Sequence, residues 1–174
     1  VEDDYDSEFR YKGKPIPALQ GFDARGKVIY LGTFSKSIAP AIRLSYMVLP
    51  EPLCREYGRK LGFINSTVSK VDQLIMCRFL EGGYYERHLN QTRALYRGRH
   101  DQLIAGLKPL AATCRISGEN AGVHLLLHFD DGRTEKELIE KAAACDIRVY
   151  GMSDYIVGEP GREAVILLGY ANMP

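Results

Sequence analysis

Tryptophan is absent from this 174-residue chain, and so is any apolar run approaching the roughly 20 residues that span a bilayer. No stretch has the layout of a secretory signal, so the residues present give no reason to expect a membrane helix. Charge of one sign is lacking too. Lysine and arginine number 23 against 22 aspartates and glutamates, a net charge of +1, which removes any global argument for nucleic acid or a membrane surface. Cysteine is scarce and scattered: Cys54, Cys77, Cys114 and Cys145 show no CxxC or CxH spacing. That excludes a zinc module and a disulfide framework, and leaves the expectation of reduced, mostly buried thiols in a cytoplasmic protein. There is no internal repeat and no low-complexity tract. An initiator methionine is missing, Val1 to Tyr5 reads as the end of a buried strand, and the chain stops just after the strand-like run Val165 to Leu168. A domain rarely begins and ends inside sheet segments, so a piece of a longer protein is expected. A hydrophobic content of 45% supports one core, or one small domain plus a fragment.

What is present is concentrated around Lys36. It lies in Gly32-Thr33-Phe34-Ser35-Lys36-Ser37-Ile38-Ala39-Pro40-Ala41-Ile42-Arg43-Leu44, one lysine among small hydroxyl residues with an arginine seven positions on. A lysine amine condenses with aldehydes, while hydroxyls and a planar guanidinium suit phosphate oxygens. An aldehyde and a phosphate on one small molecule describe pyridoxal 5'-phosphate (PLP), whose pyridinium nitrogen also needs a carboxylate. Glu2-Asp3-Asp4-Tyr5-Asp6 supplies candidates. Asp3 and Tyr5 would share one face of a strand, with Tyr5 able to reach the cofactor's phenolic oxygen. A lone lysine in a turn is ordinarily a surface charge; its neighbours Thr33, Ser35 and Arg43 give Lys36 its chemical reading.

Hydrophobic patterning organises the rest. Lys27 to Gly32 and Leu44 to Pro50 are β-rich runs bounded by glycine and proline, so Lys36 falls in the turn between two strands. Residues 10 to 26 carry the glycines and prolines of a loop or hairpin. Glu51-Pro52 opens a helix with Leu53, Tyr57 and Leu61 at helical spacing. Ser66-Thr67-Val68 is placed to cap a second helix ending at Gly82-Gly83, and a third spans Tyr84 to Leu107 with Leu89, Leu95, Leu103, Ile104 and Leu107 as its apolar face. Beyond Pro109, strands are expected at 115–117, 123–129, 147–150 and 165–168. A helix is expected over 134–145, with Thr134 and Glu137 spaced as a capping box.

The block from Glu2 to Tyr11, the segment Pro17-Ala18-Leu19-Gln20, and Val28 to Lys36 closely resemble the PLP-binding domain of MocR-type regulators. These are members of the GntR superfamily in which a winged helix-turn-helix is fused to a fold-type I aminotransferase-like domain. Pro40 to Leu44, Arg87-His88-Leu89 and Leu168 to Asn172 extend the likeness nearly end to end. The resemblance implies an α/β fold: the end of a fold-type I large domain over residues 1–50, connecting helices over 51–108, and an α+β small subdomain over 109–174. It implies that Lys36 forms an internal aldimine with PLP, that Asp3 faces the pyridine nitrogen and Tyr5 the phenolic oxygen, and that Thr33, Ser35 and Arg43 meet the phosphate. The winged helix and the front half of the large domain, with its phosphate-cradling loop and ring-stacking aromatic, would precede Val1. DNA would then be bound only through that missing domain, the parent would be a homodimer, and an amino acid or amine would be its effector.

One departure stands out. Many aminotransferases carry a carboxylate-binding arginine where this chain has Leu167-Leu168; Arg148 and Arg162 are nearby but align with no such role. The effector-sensing reading therefore stands beside two others, a class I aminotransferase in which Lys36 also moves protons, and a dimerisation module that kept the motif and lost the cofactor. His124 and His128 have HxxxH spacing, but Leu125-Leu126-Leu127 between them reads as strand and no third ligand is near. Arg87, His88, Arg93, Arg97, Arg99 and His100 surround the third helix instead of forming a stripe, the pattern of a solvated helix.

Overall fold

The computed structural model describes residues 1–158, 161 and 163–173, and Arg162 lies outside them. It forms two compact units, Val1–Glu8 with Lys14–Arg93, and Phe9–Gly13 with Ala94–Pro174. The first combines helices with a mixed sheet and the second with an antiparallel one, in keeping with the expected α/β fold and its α+β C-terminal part.

In the first unit, β1 (Glu2–Asp4) runs parallel to β2 (Tyr30–Thr33), and β3 (Ser45–Val48) runs antiparallel to β2, in the order β1-β2-β3. Glu2 ties down the excursion between β1 and β2, its carboxylate accepting from the backbone N–H groups of Leu19 (2.8 Å) and Gln20 (3.0 Å). Asp23 does the same one turn later, accepting from Lys27 and Val28. These donors hold its carboxyl below the usual aspartate range, the Val28 N–H contributing most. Of the loop or hairpin expected over residues 10–26, the loop forms. Asp23 draws the backbone into a turn, and a single 3₁₀ turn covers Leu19–Phe22.

The helices α1 (Glu51–Leu61) and α2 (Lys70–Glu81) follow. Ser69, not Ser66, caps α2 by accepting from the Val71 N–H at 3.2 Å, while Ser66 accepts from Val68 in the turn before it. Either serine satisfies the local rule; the position of the first helical turn decides between them. α3 (Tyr84–Leu107) begins in this unit and ends in the other.

In the second unit, β4 (Arg115–Ser117), β5 (His124–Phe129), β6 (Tyr150–Gly151) and β7 (Ala164–Gly169) form an antiparallel sheet in the order β4-β5-β7-β6. Burial along β5 alternates with period two: Leu125, Leu127 and Phe129 join a core with Leu107, Cys114, Ala164, Ile166 and Tyr170. Leu103 and Ile104 of α3 pack on that core, as do Leu138 and Ile139 of α4 (Glu135–Ala144). Leu95 does not; it is 52% exposed, and Tyr96 packs there in its place. Residues 9–13 join this unit by backbone pairing, Tyr11 donating to Asn120 and Gly122 to Phe9. The Thr134–Glu137 capping box forms as expected. The strand anticipated at 147–150 shrinks to Tyr150–Gly151, with Ile147 exposed.

No helix among the described residues is long and apolar enough to cross a membrane. All four cysteines are free, but only Cys114 is buried. Cys54, Cys77 and Cys145 are exposed, which corrects the expectation of mostly buried thiols.

Candidate functional site

β-Sheet register assembles the site in the first unit. Asp3 pairs with Leu31, Leu31 with Met47, and Thr33 with Ser45, so these side chains project from one face. That face opens into a cleft of about 390 Å³ lined by Asp3, Tyr5, Leu31, Gly32, Thr33, Ser35, Lys36, Arg43, Ser45 and Tyr46. Its volume falls in the range of about 300–1,000 Å³ usual for small-molecule sites. All six residues singled out from the sequence lie on it.

Three of the carboxylates near the start of the chain can now be told apart. Glu2 is committed to Leu19 and Gln20, and Asp4 accepts from the Ser7 hydroxyl (2.8 Å) and the Tyr30 hydroxyl (2.8 Å). Burial and the Asp4 contact raise the Tyr30 phenol far above its ordinary value. Asp3 instead faces the cleft, and among the described residues no hydrogen bond or ion pair engages its carboxylate. The Tyr5 phenol is also held above its usual value, first by the charge of Asp6, then by burial, then by Asp3.

The lysine turn is closed by Ile38 N–H donating to Phe34 at 2.9 Å. Its anchor is Ser37, 1% exposed, whose backbone carbonyl meets His88 Nε2 at 3.0 Å and whose hydroxyl accepts from Tyr85 at 3.2 Å. Lys36, one residue earlier, is thereby turned outward with no described partner for its ammonium. Thr33 braces the same turn: its hydroxyl donates to Leu44 and accepts from the Ser35 N–H (3.1 Å) and the Ser45 hydroxyl (3.2 Å). Arg43 has φ 46° and ψ 35°, the left-handed region that costs a side-chain-bearing residue roughly 1–2 kcal/mol. Such strain clusters at ligand clamps, and here it accompanies a guanidinium on the cleft with no described ion pair.

Sequence reasoning missed several contributors. Gly32 is required by Tyr46, whose ring carbon would stand 2.4 Å from any Cβ placed there. Ser45 shares the face of Thr33 only through strand register, which its sequence does not announce, while Tyr46 borders the cleft with its ring packed over Gly32 on the other face. Tyr85 and His88 act from α3, about fifty residues away; His88 was at hand in the Arg87-His88-Leu89 motif but had no assigned task.

In the second unit, Leu167 occupies β7 opposite Leu126 and Tyr150, and Arg148 lies over the Tyr150 ring at 5.3 Å. His124 and His128 both sit on strand β5, and no group of three or more potential metal ligands exists among the described residues.

No family model matches the chain. It is 42% identical over 175 residues to the HTH-type transcriptional regulator YhdI of Bacillus subtilis, covering 99% of this chain and 37% of that protein. It is 33% identical to the probable rhizopine catabolism regulatory protein MocR of Rhizobium meliloti, covering 99% and 35%. Its fold matches the kynurenine aminotransferase of Pyrococcus horikoshii, solved in complex with PMP, at a TM-score of 0.83 and 26% identity, covering 98% of this chain and 42% of that one. The chain thus spans little more than a third of the length of these regulators and under half of the aminotransferase.

Proposed function

From a chain that in sequence and fold corresponds to the C-terminal part of the fold-type I aminotransferase-like domain of MocR-type regulators, we infer the PLP-binding, effector-sensing segment of a transcriptional regulator. The observation that carries this reading is the convergence of Lys36, Arg43, Ser35 and Asp3 on one cleft, cations and hydroxyl together with a carboxylate that no described residue engages. That donor set fits an aldehyde, a phosphate and a pyridinium on one molecule. PMP, held by the matching aminotransferase, is the amino form of the same cofactor.

When bound, PLP supplies an electron sink for bonds at a carbon bearing an amine. The chain's own residues would hold it. Lys36 offers its amine as the covalent tether. Asp3 keeps the ring nitrogen protonated by a charge-assisted hydrogen bond. Tyr5, held protonated, donates to the phenolic oxygen. The Arg43 fork and the Ser35 hydroxyl take the phosphate, while Thr33, whose proton is committed to Leu44, supports Ser35 through the backbone. In this reading residues 1–50 belong to the large cofactor domain, 51–108 to connecting helices and 109–174 to the small subdomain. The parent is a cytoplasmic homodimer that binds DNA through a winged helix preceding Val1 and responds to an amine or amino acid.

The aminotransferase likeness gives a second reading, turnover between an amino acid and a keto acid. Leu167 weighs against it, because it offers no cation to a substrate carboxylate. The test is borohydride reduction after PLP titration of this chain and of its full-length parent, followed by peptide mapping. Pyridoxyl-Lys36 is expected in the parent, absent from Lys36→Ala. Asp3→Asn should weaken PLP binding about 10- to 100-fold, the loss of one charged hydrogen bond. An adduct on another lysine, or none, overturns the assignment and leaves a dimerisation module; rapid multiple turnover with amino acid and keto acid favours the enzyme.

A further inference from the structure

The second unit carries a group of side chains that the PLP reading does not use. His128 pairs with Arg115 on β4 and Val165 on β7. Side chains alternate along a strand, so Ser117, two residues beyond Arg115, stands on the same side of the sheet as His128. Glu163 precedes Val165 by two residues and approaches from the same side. Leu125, Leu127 and Phe129 take the opposite side and fill the core. The face turned away from the core therefore brings together a hydroxyl, an imidazole and a carboxylate.

Their geometry is ordered. Ser117 Oγ lies 2.7 Å from His128 Nε2, and His128 Nδ1 lies 3.1 Å from Glu163 Oε2. An ionised carboxylate only accepts, so the Nδ1 proton goes to Glu163, and in the neutral imidazole Nε2 then accepts from the Ser117 hydroxyl. Arg115 Nη2 holds the other oxygen of Glu163 at 3.1 Å. Together His128 and Arg115 keep that carboxyl below the usual glutamate range, His128 contributing most. The His128 ring is 14% exposed and Ser117 is half-buried; a cavity of about 540 Å³ opens beside His128, lined among others by Cys114, Arg115, Ile116, His128, Asp130 and Glu163, and Ser117 itself does not line it. A nucleophile within reach of a base, and that base oriented by a third group, is the arrangement that activates serine on several unrelated folds.

We propose that Ser117, His128 and Glu163 form a second site, in which Ser117 is an activated nucleophile toward small carboxylic esters admitted beside His128. In the first step the Ser117 Oγ–H proton passes to His128 Nε2 as Oγ bonds to the ester carbonyl carbon. The bond to the alkoxy oxygen breaks, and the alkoxide leaves with the proton from His128. Water, deprotonated by the same imidazole, then cleaves the acyl-serine and returns the hydroxyl. Glu163 is a positioning residue, fixing the tautomer and stabilising the imidazolium. A network that merely pins β4 to β5 would leave Ser117 no more reactive than any other serine, and this separates the two accounts.

Diisopropyl fluorophosphate on the 174-residue chain tests the proposal, since the serine–phosphorus bond forms as fluoride leaves and the adduct is permanent. Intact mass and peptide mapping should place one diisopropylphosphoryl group on Ser117. Ser117→Ala should lose it, and His128→Gln should slow labelling by about 100-fold or more, the usual contribution of a general base. Glu163→Gln, at the exposed rim, should slow it while circular dichroism stays native, and it serves if His128→Gln fails to fold. No adduct on the native chain under conditions that label trypsin overturns the proposal. So does an adduct on Ser117 that forms equally fast in the folded His128 or Glu163 variant.

Discussion

Every residue of β3 is exposed and α1 buries none of its side chains, whereas β5 in the other unit buries every second residue against helices on the same side. The unit of residues 9–13 and 94–174 is organised by an apolar core. The unit of residues 1–8 and 14–93 is organised by polar ties: Glu2 and Asp23 on backbone N–H groups, Asp4 on Ser7 and Tyr30, and Ser37 between Tyr85 and His88. A scaffold of directed hydrogen bonds holds a turn at a defined place while leaving a face open to a ligand. A closed core gives stability but no such opening on its own side.

The same substitution made in each unit puts this contrast at risk. Leu125→Ala removes a side chain that is fully buried and should cost about 2–5 kcal/mol. Leu74→Ala, at 59% exposure on α2, should change stability by about 0.5 kcal/mol or less. Urea denaturation of both variants reads the difference, and equal losses would erase the distinction.

A smaller effect is expected at the capping box of α4. Thr134→Ala should cost about 0.5–2 kcal/mol. It should also change the acid limb. The Thr134 backbone N–H and hydroxyl hold the Glu137 carboxyl below its usual value, so its contribution is present above the ordinary glutamate range and is lost as pH falls through the lowered folded value. Denaturation midpoints measured from neutral to acid pH should fall less steeply when Glu137→Gln removes the titrating group.

The smallest change belongs to the site-bearing unit. Arg43→Gly relieves a left-handed backbone and loosens the unfolded chain, opposing effects that should leave stability within about 1 kcal/mol of the parent. PLP affinity should fall all the same if the guanidinium holds phosphate. Unchanged affinity would make Arg43 a bystander, and a large loss of stability would make it a fold residue.

Much of this was legible from residue patterns. The Thr134–Glu137 box, the place of β5 and the limits of α3 follow from local rules that act over a few residues, and the structure keeps them. Local rules failed where two neighbours met the same criterion, as with Ser66 and Ser69, or where packing took a different residue, as with Leu95 and Tyr96. Register across β2 and β3, which sets Ser45 beside Thr33 on the cleft face, leaves no trace in either strand alone.

By itself, then, the sequence determined the kinds of chemistry available: a lysine among hydroxyls, an arginine seven residues on, an acidic start, and helices and strands where propensity and capping put them. Only the tertiary structure showed why Asp3, the carboxylate that the resemblance implies, is the one left facing the cleft: Glu2 and Asp4 are spent on backbone and hydroxyl partners that are distant in sequence. It alone placed Ser37 under Tyr85 and His88, and Ser117 and Glu163 on either side of His128. Strand pairing and helix packing set such distances between residues far apart in the chain, and no local preference encodes them.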